Sequence, residues 1–203
     1  MKKITENGKR ALKIIFTDFL NSYNSYNLKD KIGLSNAGSL KLLRNLSEQD
    51  LIIGEKMGNA IFYRPNLENP IFIKLMELIF IDNSNLSSFV KGWIYDIESL
   101  TPYTKALFLF GSILKKGKEA RDIDLSVILK KKEDYNQLKN MVELMNENNK
   151  LKIHPLFLTK EAFKNKLIER DKPLIEMIKS CAVIQGAEFF VEVLKNVQSK
   201  QAH

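Results

Sequence analysis

Asp122 and Asp124 stand one residue apart in the run Asp122-Ile123-Asp124-Leu125-Ser126-Val127-Ile128-Leu129. Here Ile123, Leu125, Val127 and Leu129 alternate with the acids, which is the period of a strand with one face in a core. Asp122, Asp124 and Ser126 then share the other face. Two carboxylates held that close repel each other unless a cation lies between them. Mg²⁺ suits such a pair, because it takes a few carboxylate oxygens and fills its remaining positions with phosphate oxygens and water. Upstream, the apolar run Lys105-Ala106-Leu107-Phe108-Leu109-Phe110 stops abruptly at Gly111-Ser112, with nine residues between Ser112 and Asp122. A glycine at such a turn lets backbone N–H groups approach phosphate oxygens, and Ser112 adds a hydroxyl donor.

These residues need a sheet to hold them. The spacing predicts strands over 105–110, 122–129, 152–158 and 182–185. It predicts helices over 133–149 and 161–179, the latter broken near Pro173, and a final helix after Gly186. Between the turn and the acids lie Lys115, Lys116, Lys118 and Arg121, which could guide nucleotide or nucleic-acid phosphates or form a solvated surface.

A strand ending in Gly111-Ser112, followed by a strand carrying Asp122 and Asp124, resembles the signature of the polymerase-β-like nucleotidyltransferase superfamily. The segments around His154 and Gly186 are similar, more loosely, to later parts of small prokaryotic members. The resemblance implies a mixed sheet flanked by helices that moves a nucleoside monophosphate from an NTP, with ATP expected, to an acceptor. It implies that Gly111 and Ser112 hold the β- and γ-phosphates, and that Asp122 and Asp124 are catalytic and bind Mg²⁺. The superfamily usually places a third carboxylate on a later strand. This chain offers His154 and Pro155 there, with no acid between Lys150 and Lys160, and Glu161 just beyond.

Toward the N-terminus, Leu12, Ile15, Phe16, Phe19 and Leu20 form one helical stripe within 10–23. A short helix over 28–33 stops at Gly33. A third helix, capped by Ser35 or Asn36, carries Ala37, Leu40, Leu43 and Leu46 as its expected core. Two β-prone runs then flank a Gly58-Asn59 turn, which predicts a hairpin over 51–65. Three helices and a hairpin resemble a winged helix-turn-helix. That family places its third helix in the DNA major groove and its hairpin along the backbone. Ser35, Asn36, Ser39, Lys41, Arg44 and Asn45 are thereby expected to face double-stranded DNA, with Lys56 and Asn59 in the wing.

The expected fold class is α+β: a winged helix-turn-helix with a connecting helix over residues 1–82, then a nucleotidyltransferase-like domain over 83–203. The boundary falls in the polar, turn-forming stretch 82–88. Helix 71–81, almost wholly apolar, is expected to be buried between domains or in a homodimer.

A 44% hydrophobic, 28% charged composition rules out extensive disorder. The net charge of +8 favours polyanionic partners. Cys181 is the one cysteine, sits among apolar neighbours and has no internal partner, which fits a reducing cytoplasm. No apolar run is long enough for a bilayer, and no signal-peptide pattern opens the chain.

Two functions follow. One is an enzyme that nucleotidylates a protein, nucleic acid or small molecule. The other is a DNA-binding transcriptional regulator whose nucleotidyltransferase-like domain is catalytically degenerate. A fold alone does not choose between them.

Overall fold

The computed structural model describes residues 3–200. The chain divides into two compact units: Met1–Ile79 with Leu194–His203, of which the described residues are meant, and Phe80–Val193.

In the first unit, α1 (Glu6–Thr17) is capped by Thr5, whose hydroxyl accepts from the Gly8 amide at 3.1 Å. The helix begins and ends several residues earlier than its apolar stripe suggests. Asp18 leaves the helical conformation, so Leu12, Ile15 and Phe16 are buried while Leu20 is exposed. Helix α2 (Ser25–Ile32) opens on a reciprocal capping box between Asn24 and Asn27 and closes at Gly33, φ +72°. Helix α3 (Asn36–Glu48) follows, with Ser35 as its cap.

Strands β1 (Ile52–Met57) and β2 (Ala60–Pro65) pair antiparallel in the register Met57 opposite Ala60, which closes the Gly58-Asn59 turn. A backbone bridge from Tyr63 to Tyr23 ties this hairpin to the segment after α1. Tyr23 is buried and donates its phenol proton to Asp18. Burial first, then the Asp18 carboxylate, hold that phenol protonated well above the ordinary range. Helix α4 (Pro70–Ile81) starts in this unit, where Phe72 meets Phe16 edge-on at 5.7 Å, while Ile71 and Leu78 lie exposed.

The second unit is built on a four-stranded sheet in the order β5-β4-β3-β6. These are β3 (Thr104–Phe110), β4 (Asp122–Leu129), β5 (Lys152–Leu158) and β6 (Ala182–Gln185). Only β4 and β5 are parallel, so the sheet is mixed.

One face carries Leu107, Leu109, Ile123, Leu125, Val127 and Ile153. It packs with Trp93 and Ile97 of α5 (Ser88–Ile97), Ile113 of α6 (Ile113–Lys116), and Leu138 and Val142 of α7 (Tyr135–Asn148). On the other face Phe108 stacks on Phe163 of α8 (Lys160–Ile168) at 5.6 Å and meets Phe190 of α10 (Ala187–Ser199) at 5.1 Å. The helical break precedes Pro173: Arg170 takes φ +59°, Asp171 caps α9 (Lys172–Ser180), and the proline sits in the first turn, where its missing N–H costs nothing.

Among the described residues no helix is long and apolar enough to cross a membrane.

Candidate active site

Phe110 lies opposite Asp124, and Phe108 opposite Ser126, so the acids point to the Phe108 face of the sheet. From Leu125 onward β4 is buried, and Ser126 lies wholly inside with its hydroxyl unpaired. Asp122 and Asp124, at the strand's beginning, are only half-buried. Sheet geometry therefore brings both carboxylates to the open edge of an otherwise filled face.

The Gly-Ser turn meets them there. Gly111 has φ +80°, a conformation that favours glycine, and a Cβ built on it would overlap the Asp124 carboxylate. The backbone at the turn thus lies directly against Asp124. Ser112 opens α6 with its carbonyl accepting from Lys115 and Lys116, while its own hydroxyl makes no hydrogen bond among the described residues. That hydroxyl is free to bind a ligand oxygen.

Neither Asp122 nor Asp124 accepts a hydrogen bond among the described residues. Desolvation, then the Asp122 charge, push the Asp124 carboxyl above the usual range, and His154 works in the opposite direction. On β5, His154 is the register partner of Asp124, and its Nδ1 lies 3.8 Å from Asp122 Oδ2. Lys152, partner of Asp122, is turned away and donates to the carbonyls of Asn146 and Asn149.

Two adjoining carboxylates without donors, beside a glycine cradle and a free hydroxyl, suit a divalent ion bound together with phosphate oxygens. No three acidic, histidine or cysteine groups form a ready-made metal cage among the described residues, so such an ion needs ligands from substrate and water. Glu161 does not supply a third carboxylate. It lies at the far end of the sheet, beyond Leu158, where its own backbone N–H and the Thr159 hydroxyl hold its carboxyl below the usual range. The five residue steps from Asp124 to Leu129 alone span roughly 16 Å.

Lys115, Lys116, Lys118 and Arg121 are all exposed, without an ion pair among the described residues, on the segment joining the turn to Asp122.

The residues expected to face DNA divide. Asn36, Lys41 and Arg44 are exposed on α3, and Lys56 and Asn59 are exposed in the hairpin. Ser35 is exposed, with its hydroxyl engaged by the Gly38 amide at 3.1 Å. Asn45 is half-buried and accepts from Gln49 Nε2 at 2.8 Å. Ser39 is a correction: it is buried with Leu43 and Leu46, whereas Ala37 is exposed and Leu40 half-exposed. The helix is rotated from the face its leucines suggest, because Ser39, Leu43 and Leu46 at i, i+4 and i+7 make the inward stripe. No sequence signal marked Ser39 or Ser126 as a buried, unpaired hydroxyl.

The α+β unit with a mixed sheet flanked by helices is consistent with a nucleotidyltransferase fold. Residues 94–179 match the family model described as polymerase beta, nucleotidyltransferase, which supports placing this part of the chain in the polymerase-β-like superfamily. No curated protein and no solved structure matches the chain.

Proposed function

We propose that the second unit is a Mg²⁺-dependent nucleotidyltransferase that moves a nucleoside monophosphate from an NTP, ATP by expectation, to an acceptor hydroxyl. The observation that carries this reading is the packing of the Gly111 backbone against Asp124, which joins a phosphate-type turn to an acidic pair. Asp122 and Asp124 hold the ion, and Gly111 and Ser112 hold the β- and γ-phosphates. Bound there, the ion supplies charge neutralisation for the reacting phosphate oxygens.

The acceptor oxygen bonds to the α-phosphorus as the bond from that phosphorus to the β-phosphate oxygen breaks. Pyrophosphate leaves and the acceptor proton passes to solvent. The chain's part is positioning and electrostatics, which suffices for phosphoryl chemistry.

In the first unit, the order of α1, α2, α3 and hairpin supports a winged helix-turn-helix that binds duplex DNA through Asn36, Lys41, Arg44 and Lys56. The exposed Ile71 and Leu78 support a homodimer contact. A cytoplasmic protein agrees with the lone, buried Cys181.

A second reading is favoured by one observation: β5 presents His154, and no acid, beside the aspartates. On that reading the domain binds nucleotide or a partner without chemistry and the chain is a DNA-binding regulator.

Incubation of the full chain with α-labelled NTPs, Mg²⁺ and candidate protein and nucleic-acid acceptors distinguishes the two. Transfer of label that disappears in Asp122→Ala with Asp124→Ala supports the enzyme. Salt-dependent duplex binding that is unaffected by the same change, with no transfer in the wild type, supports the regulator. Transfer surviving the double change contradicts the assignment of the site.

A further inference from the structure

We propose that a cavity between the start of α1 and one face of α3 is an effector site for an amphipathic carboxylate, which competes with duplex DNA for Lys41 when bound. The competition rests on the reading of α3 as a DNA-facing helix. The site itself does not.

Helix α3 carries two stripes. Ser39, Leu43 and Leu46 turn inward, while Gly38, Lys41, Leu42 and Asn45 recur at i, i+3, i+4 and i+7 and line a cavity of about 440 Å³. From α1 and the residue before its cap, Gly8 and Ile4 complete the lining. Gly8 is buried, and a Cβ built on it would stand 3.0 Å from Ile4 and 3.8 Å from Leu42, so the glycine lets α1 and α3 approach closely at this point.

The lining sets the chemistry of the ligand. Ile4, Leu34 and Leu42 are each only half-buried, and apolar surface of this kind gains from being covered by hydrocarbon. Lys3 and Lys41 are exposed at the same cavity with no ion pair among the described residues, and none of the lining residues is acidic. Glu6, the acid next along the chain from Lys3, is paired with Lys9 at 2.9 Å. Apolar walls with two cations and no anion complement a molecule that has an apolar body and one negative head. The volume falls in the range of roughly 300–1,000 Å³ found for small-molecule pockets, which are likewise mostly apolar with a few polar groups to fix orientation. A carboxylate held at Lys41 neutralises a cation on α3 and places a negative charge where a DNA phosphate would approach.

The test titrates the full chain with sodium decanoate below its micelle concentration. Calorimetry should show one decanoate per chain, with decyltrimethylammonium about ten-fold weaker, because the same tail then carries a head that Lys3 and Lys41 repel. Lys3→Gln with Lys41→Gln should weaken decanoate by about five-fold. Leu42→Trp, which fills the cavity, should weaken it by about ten-fold or more, and Lys150→Gln, at an exposed position in the second unit, should leave it unchanged. In the wild type, decanoate should shift the methyl resonances of Ile4, Leu34 and Leu42 and leave those of the exposed Ile71 and Leu78 in place, a readout that needs no variant. Saturating decanoate should weaken duplex binding by about ten-fold, since a phosphate then loses one cation and meets one anion. No decanoate binding, equal binding of the cationic tail, indifference to Leu42→Trp, or shifts at Ile71 and Leu78 in place of the cavity methyls overturns the site. Recovery of the chain on anionic vesicles without binding of free decanoate also overturns it, in favour of a lipid surface. Duplex affinity unmoved by bound decanoate overturns the competition and leaves the site standing. Absence of duplex binding by the ligand-free chain overturns the DNA reading of α3 and the competition with it, while the methyl shifts still decide the site.

Discussion

Gly111 presses its backbone against the carboxylate of Asp124, leaving no room for even a methyl group on its Cα. The contact joins the end of β3 to the start of β4, the two places to which the proposed function assigns phosphate and metal. It requires glycine twice over, since φ at this position is +80°. Gly111→Ala is therefore expected to lower stability by at least the roughly 1–2 kcal/mol that a left-handed conformation costs an L-residue. Displacement of Asp124 should weaken metal-dependent nucleotide binding in parallel. Thermal melting with and without metal and NTP measures both effects, and a variant that matches the wild type in both contradicts the packing described.

Tyr23 anchors the first unit in a different way. Its phenol donates to Asp18 inside the protein, and its carbonyl accepts from the Tyr63 amide of the hairpin at 2.7 Å. Tyr23→Phe keeps the second bond and removes the first, leaving a buried carboxylate short of a donor. The expected cost is about 1–3 kcal/mol, read by denaturant unfolding. No loss would mean that the Asp18 pairing contributes nothing.

The burial of Ser39 separates two roles within α3. Ser39→Ala removes a buried hydroxyl that has no partner, so it should leave stability equal or higher and duplex affinity unchanged. Arg44→Ala removes an exposed cation and should weaken duplex binding, reducing the slope of log affinity against log salt by about 0.9 if the contact is to one phosphate. Filter binding across a salt series checks both. Equal effects of the two changes would contradict the orientation of the helix.

Asp171 gives a pH prediction. Its carboxylate caps α9, and Lys166, followed by the Leu174 amide, holds its pKa below the ordinary value. A carboxylate whose folded pKa is depressed contributes stability above its unfolded pKa, and that contribution fades as pH falls through the folded value. The difference in stability between wild type and Asp171→Ala should thus be constant near neutrality and shrink below about pH 4, the ordinary range for aspartate. A difference independent of pH down to about 2 would show that the charge plays no part.

The chemistry-bearing strand was legible because alternation of Ile123, Leu125, Val127 and Leu129 with the acids is a local signal, as is a glycine closing an apolar run. Hairpin and caps were equally local: Gly58-Asn59, Asn24, Gly33 and Ser35 each act on neighbours a few residues away. What escaped depends on tertiary placement. The inward rotation of α3 onto Ser39 is decided by what packs against that helix, since its leucines occur on more than one side. Glu161 lies just past the end of β5, and parallel pairing of β4 with β5 carries it to the end of the sheet away from the acids. The same pairing sets His154 beside Asp124, a proximity that spacing alone does not reveal.

Nucleotide binding at the acidic pair is the most direct test of the account. Calorimetric titration of ATP into the full chain, with divalent ion and with chelator, should show binding that requires the ion. In Asp122→Asn with Asp124→Asn that binding should fall by at least ten-fold, with the thermal stability of the protein retained. Binding of equal strength in the double variant, or in chelator, would contradict the claim that these two carboxylates and the Gly111-Ser112 turn form one site.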